Sequence, residues 1–310
     1  VLMRPCSFLL DRAFCLRIVL VGVLFFWVGC TVLFLVGCTV DVDNQLIADE
    51  GAEIVGRGEY LVESVAACGA CHGAWRAPLA PLSGGMAFVD RYGEVLAPNI
   101  TPSRKYGIGK WTANDLKVLF RTHRSRSARY VSHQAHEGLE WLSDRDVIAI
   151  AVYLATLKPV HKKVARRDIS DYNPTNWTVF ESAINVTGVV PDIARTESVH
   201  YGHYLARSVM RCQSCHDGVS TWFGDVKAFD GGRMVKRGNQ VKKVPSLTRV
   251  FGKGGSSWSV ADLQHYLRTG LGPDGNKRDA EFCPTNFFAR ASQEDLVAVV
   301  QYVALMSSED

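Results

Sequence analysis

Cys68-Gly69-Ala70-Cys71-His72 and Cys212-Gln213-Ser214-Cys215-His216 are two copies of the pattern CxxCH in one chain. Two thiols three positions apart on a helical turn reach the two vinyl groups of one haem, and the adjacent histidine presents its imidazole to the iron. A redox-active CxxC pair or a zinc-ligand pair would account for one isolated copy. Neither accounts for two copies embedded in the same longer pattern. The reading is two covalently attached c-type haems, held by Cys68, Cys71, Cys212 and Cys215, with His72 and His216 as proximal ligands.

The longer pattern is an internal repeat. "GRGEYLVESVAACGACHG" precedes and includes the first motif, and "HYGHYLARSVMRCQSCHDG" the second. "PNIT" at 98–101 is echoed by "PSLT" at 245–248, "WTANDLKVLFRT" from Trp111 by "WSVADLQHYLRTG" from Trp258, and "LSDRDVIAIAVYLATL" by "ASQEDLVAVVQYVALM". Residues 51–67 and 198–211 read as helices that end at the cysteines. Residues 112–122 and 259–269 start with Thr or Ser at the N-cap and carry apolar residues at helical spacing. Residues 143–157 and 292–306 open with Ser-x-x-Asp, a shortened capping box. Gly58 and Gly202 are placed to let the first and last helices of each copy cross closely, near Tyr153 and Tyr302. Little reads as alternating strand. The expected fold is all-α: two tandem haem-bearing domains, at 50–160 and 198–310, joined by a linker at 161–197, in an order of elements that resembles class I cytochrome c domains.

Residues 1–40 read differently. From Leu16 to Cys38, "LRIVLVGVLFFWVGCTVLFLVGC" is almost unbroken apolar sequence, with Arg4, Arg12 and Arg17 at or before its start and acidic residues after it. That asymmetry suits an export signal or an N-terminal anchor. Two readings stand: a lipoprotein signal whose Leu35-Val36-Gly37-Cys38 ending leaves Cys38 to carry lipid, or an uncleaved transmembrane helix. Both tether the chain to the periplasmic side of a bacterial inner membrane. Nine cysteines in an exported chain would ordinarily mean disulfides, but four are spoken for by the motifs. A net charge of +4 decides nothing alone. The basic cluster from Lys227 to Lys253 could steer an acidic redox partner, lie on anionic lipid or be a solvated loop. Nucleic acid is not an expected partner for an exported haem protein.

The first repeat resembles the cytochrome c domains of bacterial membrane-bound alcohol and gluconate dehydrogenases. The residues that carry the resemblance are "GRGEYLVESVAACGACHGAW", "PLSGGMAFVDRYGEVLAPNITPSRKYGIGKWTANDL" and "LSDRDVIAIAVYLATLKP". The resemblance implies single-electron transfer from a periplasmic dehydrogenase, or another donor, to a respiratory acceptor. It implies a periplasmic redox partner protein, a dehydrogenase subunit among the candidates, and an electron-transfer subunit in preference to a stand-alone catalyst. The alternative is a haem redox enzyme of the thiosulfate dehydrogenase type, working at a Cys-ligated or open haem.

In the family the distal ligand is a methionine, usually followed by proline, between the Trp-headed helix and the last helix. Neither repeat has one there. Met86 and Met234 follow Gly-Gly pairs early in their repeats, where the family takes no ligand, and read as packing residues. Cys283-Pro284 stands where the Met-Pro pair would be, so Cys283 is the expected ligand of the second haem, against a buried or disulfide-forming thiol. In "YVSHQAHEGLEWLSD" the family's Tyr-Pro-Ala-Met pattern lands on His133, the expected ligand of the first haem. His136 is its near neighbour and His123 a weaker alternative, while an open sixth position is the remaining outcome. Imidazole and thiolate in place of thioether would lower both reduction potentials.

Overall fold

The computed structural model describes residues 49–90, 93–127, 129–167, 185–219, 226–237, 240–251, 258–278 and 282–308. The chain divides after Glu53; of the first unit, Val1–Glu53, residues 49–53 are described and are helical. The apolar run Leu16–Cys38, and Cys38 with it, lies outside the described residues, as do linker residues 168–184. Among the described residues no helix is long and apolar enough to cross a membrane.

Residues 54–310 form one compact unit built from the two repeats. In the first, α1 (residues 54–60) widens into a π turn at Leu61–Val65 and leads to α2 (Gly69–His72), the hairpin β1–β2 (Ala87–Asp90, Gly93–Leu96), α3 (Ala113–Thr122), α4 (His133–His136) and α5 (Asp144–Thr156). The second runs α6 (Ser198–Tyr204), a π turn at Leu205–Val209, α7 (Cys212–His216), β3–β4 (Met234–Arg237, Gln240–Lys243), α8 (Val260–Thr269), α9 (Thr285–Phe288) and α10 (Gln293–Ser308). Both hairpins are antiparallel, pairing Ala87 with Leu96 and Met234 with Lys243. These strands are the part that sequence periodicity does not separate from loop. Each is four residues long, and β4 is exposed throughout, so no apolar alternation marks it.

The expected helix starts are where the caps put them. Thr112 and Ser259 each accept a bond from the backbone of the aspartate three residues on, and Asp115 and Asp262 bond back, completing two capping boxes. Ser143 and Ser292 cap α5 and α10 in the same way, accepting from Asp146 N and Asp295 N at 3.1 Å each. There, however, the aspartate side chains are committed elsewhere. Asp146 accepts from Nε and Nη2 of Arg57 at 2.8 Å each and from the Tyr204 hydroxyl at 2.6 Å.

Gly58 sits on α5 and Gly202 on α10 so closely that a Cβ at either would lie inside the carbonyl oxygen of Ala149 or Ala298. That Cβ would also stand 2.6 Å from Cβ of Tyr153, or 3.0 Å from Cβ of Tyr302. The glycines therefore set the crossing that the sequence anticipates, because only a missing side chain permits it. Behind each crossing, Leu61, Val62 and Val65 in one repeat and Leu205, Ala206 and Val209 in the other are fully buried. Each fully buried Leu or Val contributes roughly 1.5–3 kcal/mol.

The repeats grip each other through reciprocal contacts. The Tyr60 hydroxyl donates to Asp295 at 2.7 Å and accepts from Ser292 N at 3.0 Å; Tyr204 does the same to Asp146 and to Ser143 N, the latter at 3.1 Å. Phe287, fully buried, lies over Gly69, where a Cβ would approach its ring to 2.8 Å. Gly138 in turn rests on the carbonyl of Arg207 beside Gln213. The turn before each last helix is thus seated on the other repeat's CxxCH segment.

Candidate functional site

Each CxxCH segment is prepared by the same backbone device. The helix ahead of it widens by one residue, with Ala66 N bonding Leu61 O at 2.8 Å and Met210 N bonding Leu205 O at 2.7 Å. Such π turns favour functional positions. The residues directly before the first cysteines, Ala67 and Arg211, are then left-handed, at φ 48° and 55°. This breaks the incoming helix and starts a new short one carrying both cysteines and the histidine. Burial pushes the Cys68 and Cys212 thiols up to about 12, and for Cys212 the nearby Cys283 and Cys215 add to it.

His72 donates from Nδ1 to the Pro98 carbonyl at 2.8 Å, and His216 from Nδ1 to the Pro245 carbonyl at 2.9 Å. Pro98 and Pro245 head the repeated P-x-x-T blocks, which gives that repetition a physical reason. A carbonyl on Nδ1 fixes the tautomer and leaves Nε2 as the metal-binding lone pair. Burial lowers the pKa of both imidazoles, so each is held neutral.

On the far side of the first segment, the ring facing His72 belongs to His136. Their centroids are 6.3 Å apart. Two imidazoles sharing one ion through bonds of about 2 Å each sit roughly 6 Å apart, centroid to centroid. His136 also repeats the tautomer lock, its Nδ1 bonding the Ser132 carbonyl at 3.0 Å. Burial first, then His72, lowers its pKa to about 3. His133, the residue favoured by the family pattern, lies one helical turn back and turns away. Its ring stacks on His123 at 4.5 Å, and its Nε2 is shielded from solvent with no hydrogen-bond partner. The two histidines of α4 therefore face different neighbours, which the family pattern cannot reveal because it fixes one position and not the helical phase of the next.

Around the second segment, Cys283 is half-buried just ahead of α9 and close enough to Cys212 to raise its thiol. Met234 is 64% exposed on β3, and Met86 Sδ accepts from Arg237 at 3.5 Å, so both methionines are occupied as surface or packing residues. A cavity of about 1070 Å³ opens against α9, lined by Phe282, Thr285 and Asn286 and by the cations Arg76, Lys242, Arg268 and Lys277.

Two arginines join the sites: Arg211, which the sequence reading passes over, and Arg237, which it places only within the basic cluster from Lys227 to Lys253. Arg211 bonds the Ala135 carbonyl beside His136 and acts electrostatically on Cys68 and His72 of one repeat and Cys212 of its own. Arg237 stacks on Trp75 at 3.3 Å and lies within electrostatic reach of both Cys71 and Cys215. The position of Arg211 next to Cys212 was a usable signal. That of Arg237, in an exposed-looking basic hairpin, was not.

The chain is 30% identical over 235 residues to the cytochrome c subunit of a quinone alcohol dehydrogenase from Gluconobacter oxydans, covering 72% of this chain and 48% of that one. It is 28% identical over 253 residues to the fructose dehydrogenase cytochrome subunit of Gluconobacter japonicus, covering 77% and 50%. Over 249 residues it is 27% identical to a diheme cytochrome c-type protein of Cereibacter sphaeroides, covering 76% and 79%. The chain thus spans about half the length of the two dehydrogenase subunits. No family model matches it. Matched cradles for two CxxCH segments and these similarities lead to one conclusion: the chain is related to the cytochrome c subunits of bacterial alcohol, fructose and gluconate dehydrogenases.

Proposed function

We propose that this protein is an exported, membrane-tethered dihaem cytochrome c that passes single electrons between a periplasmic dehydrogenase and a respiratory acceptor. One haem is attached through Cys68 and Cys71 with His72 and His136 as axial ligands. The other is attached through Cys212 and Cys215 with His216 and Cys283. His136 replaces His133 in this assignment, because it is the ring that faces His72 with Nδ1 locked and Nε2 spare. Bound haem supplies a one-electron couple; the chain supplies neutral imidazoles, a thiolate donor and a buried, apolar cradle that sets the potential.

The observation that carries the reading is the matched pair of cradles, in which His72 and His216 each donate from Nδ1 to the proline carbonyl of a repeated P-x-x-T block, at 2.8 and 2.9 Å. The dehydrogenase partner follows from the named relatives, and the cation-lined cavity offers an acidic partner a complementary surface. The tether rests on the apolar run Leu16–Cys38.

Electron paramagnetic resonance of the oxidised holoprotein tests the ligand sets. Wild type is expected to show two low-spin signals, one of the bis-imidazole and one of the thiolate type. His136→Ala removes the first, and Cys283→Met converts the second. If His133→Ala abolishes the bis-imidazole signal and His136→Ala spares it, the assignment of the first haem is wrong. A spectrum unchanged by Cys283→Met excludes thiolate ligation.

A further inference from the structure

We propose that His123, His133 and Glu140 form a second, non-haem metal site beside the first haem pocket, and that it takes a divalent transition ion of the Zn²⁺ class. One donor atom from each of the three lies within 4.8 Å of the others. Donors around a tetrahedral ion with bonds of about 2 Å stand roughly 3.3 Å apart, so the cluster, whose donors all lie within 4.8 Å of one another, closes on an ion by at most ~1.5 Å. Two neutral imidazoles and one carboxylate are the donor set of open zinc sites, with a fourth position left for water.

Three observations support it independently of the spacing. Neither ring nitrogen of His123 has a hydrogen-bond partner, nor has Nε2 of His133, and all three are closed off from solvent. Buried polar atoms without partners are rare in folded proteins, and a missing ion is among the accepted reasons for them. The rings stack at 4.5 Å and 28°, an arrangement in which they cannot bond each other edge to edge. His123 is only 6% exposed, so its two unpartnered nitrogens are buried with it.

The backbone also appoints this histidine. His123 ends α3 in the left-handed region at φ 53°, where a side chain is strained. Gly270 occupies the equivalent cap of α8 at φ 74°. One repeat therefore uses glycine where the other bears the strain of a histidine, a pattern that marks function over folding. The loop returns so that Val131 N bonds His123 O at 2.9 Å, and His133 N bonds the Tyr130 hydroxyl, which brings the second ligand alongside the first. Glu140 is buried at 2% exposure and held by Gly138 N at 2.8 Å, with burial keeping its pKa above the usual carboxylate range; an adjacent dication would stabilise its charged form.

The inference rests on His136, and not His133, serving the first haem, and the test separates the two. Holoprotein is equilibrated with Zn²⁺, desalted and analysed for zinc and iron. Wild type is expected to hold about one zinc per two irons. His123→Gly keeps the left-handed cap in its preferred residue, so it is expected to fold at least as well while losing zinc; His133→Gln loses it too, each with at least a ~100-fold weaker affinity. Both leave the bis-imidazole haem signal unchanged, whereas His136→Ala alters that signal and keeps the zinc. Chelation of the wild type lowers the potential of the first haem, since a nearby positive charge favours the reduced state. Wild type without zinc, or variants that retain it, overturns the proposal. Loss of the haem signal in His133→Gln shows instead that His133 is a haem ligand, which overturns the metal site and the axial assignment together.

Discussion

At the scale of single residues, two neighbouring glycines of α1 have opposite meanings. Gly58 is pressed against the Ala149 carbonyl, while a Cβ at Gly56 would meet nothing within 4 Å. Gly58→Ala is therefore expected to destabilise the holoprotein by about 1–3 kcal/mol, through a clash that neither backbone can relieve cheaply. Gly56→Ala should stabilise it by about 1 kcal/mol, the ordinary gain in helix propensity. Thermal unfolding of the two variants decides it; equal melting temperatures would mean that the crossing at Gly58 is loose. The close crossing was legible in the sequence because both copies place a glycine ten residues before the first cysteine. The rotation of α4 that separates His133 from His136 was not, because a four-residue helix has no periodicity to read.

At the scale of elements, the helix starts were legible and the strands were not. Caps are local chemistry: a hydroxyl and a carboxylate three residues apart suffice, and both Trp-headed helices use them. Ser259→Ala is expected to cost about 1 kcal/mol in denaturant unfolding. Bonds from the N-cap backbone hold Asp115 and Asp262 below the ordinary carboxylate value of 3.8. Their contribution is accordingly complete above that value and is lost as pH falls through the lower folded one. Asp262→Asn should leave stability at pH 2 nearly unchanged while reducing it at pH 7; an equal loss at both would assign the cap to geometry and not to charge. The Ser-x-x-Asp starts at 143 and 292 look like the same device, yet their aspartates answer to tyrosines of the other repeat, a use that no local pattern encodes.

For the whole molecule, the reciprocal Tyr60–Asp295 and Tyr204–Asp146 pairs make the halves of residues 54–310 mutually dependent. Tyr60→Phe or Tyr204→Phe deprives a buried aspartate of a donor, at a cost of about 1–3 kcal/mol each. The pairs are linked, since Tyr201 also reaches Asp295 at 3.4 Å and acts electrostatically on Arg57, the partner of Asp146. The double variant should therefore depart from additivity by at least ~0.5 kcal/mol, and a strictly additive result would show two separate contacts. Sequence alone left this interface unread because identical tyrosines and aspartates in two repeats are explained equally well by common descent of the units.

The seating of Phe287 over Gly69 has a consequence in time. A chain is made from its N-terminus, so the turn that carries Phe287 arrives long after Gly69. Until then the face of α2 at Gly69, between Cys68 and Cys71, stands open; afterwards it is roofed. The second cysteine pair instead emerges beside Gly138, a neighbour already made. The two segments therefore differ in what covers them: α2 waits for a turn made later in the chain, whereas α7 meets one made earlier.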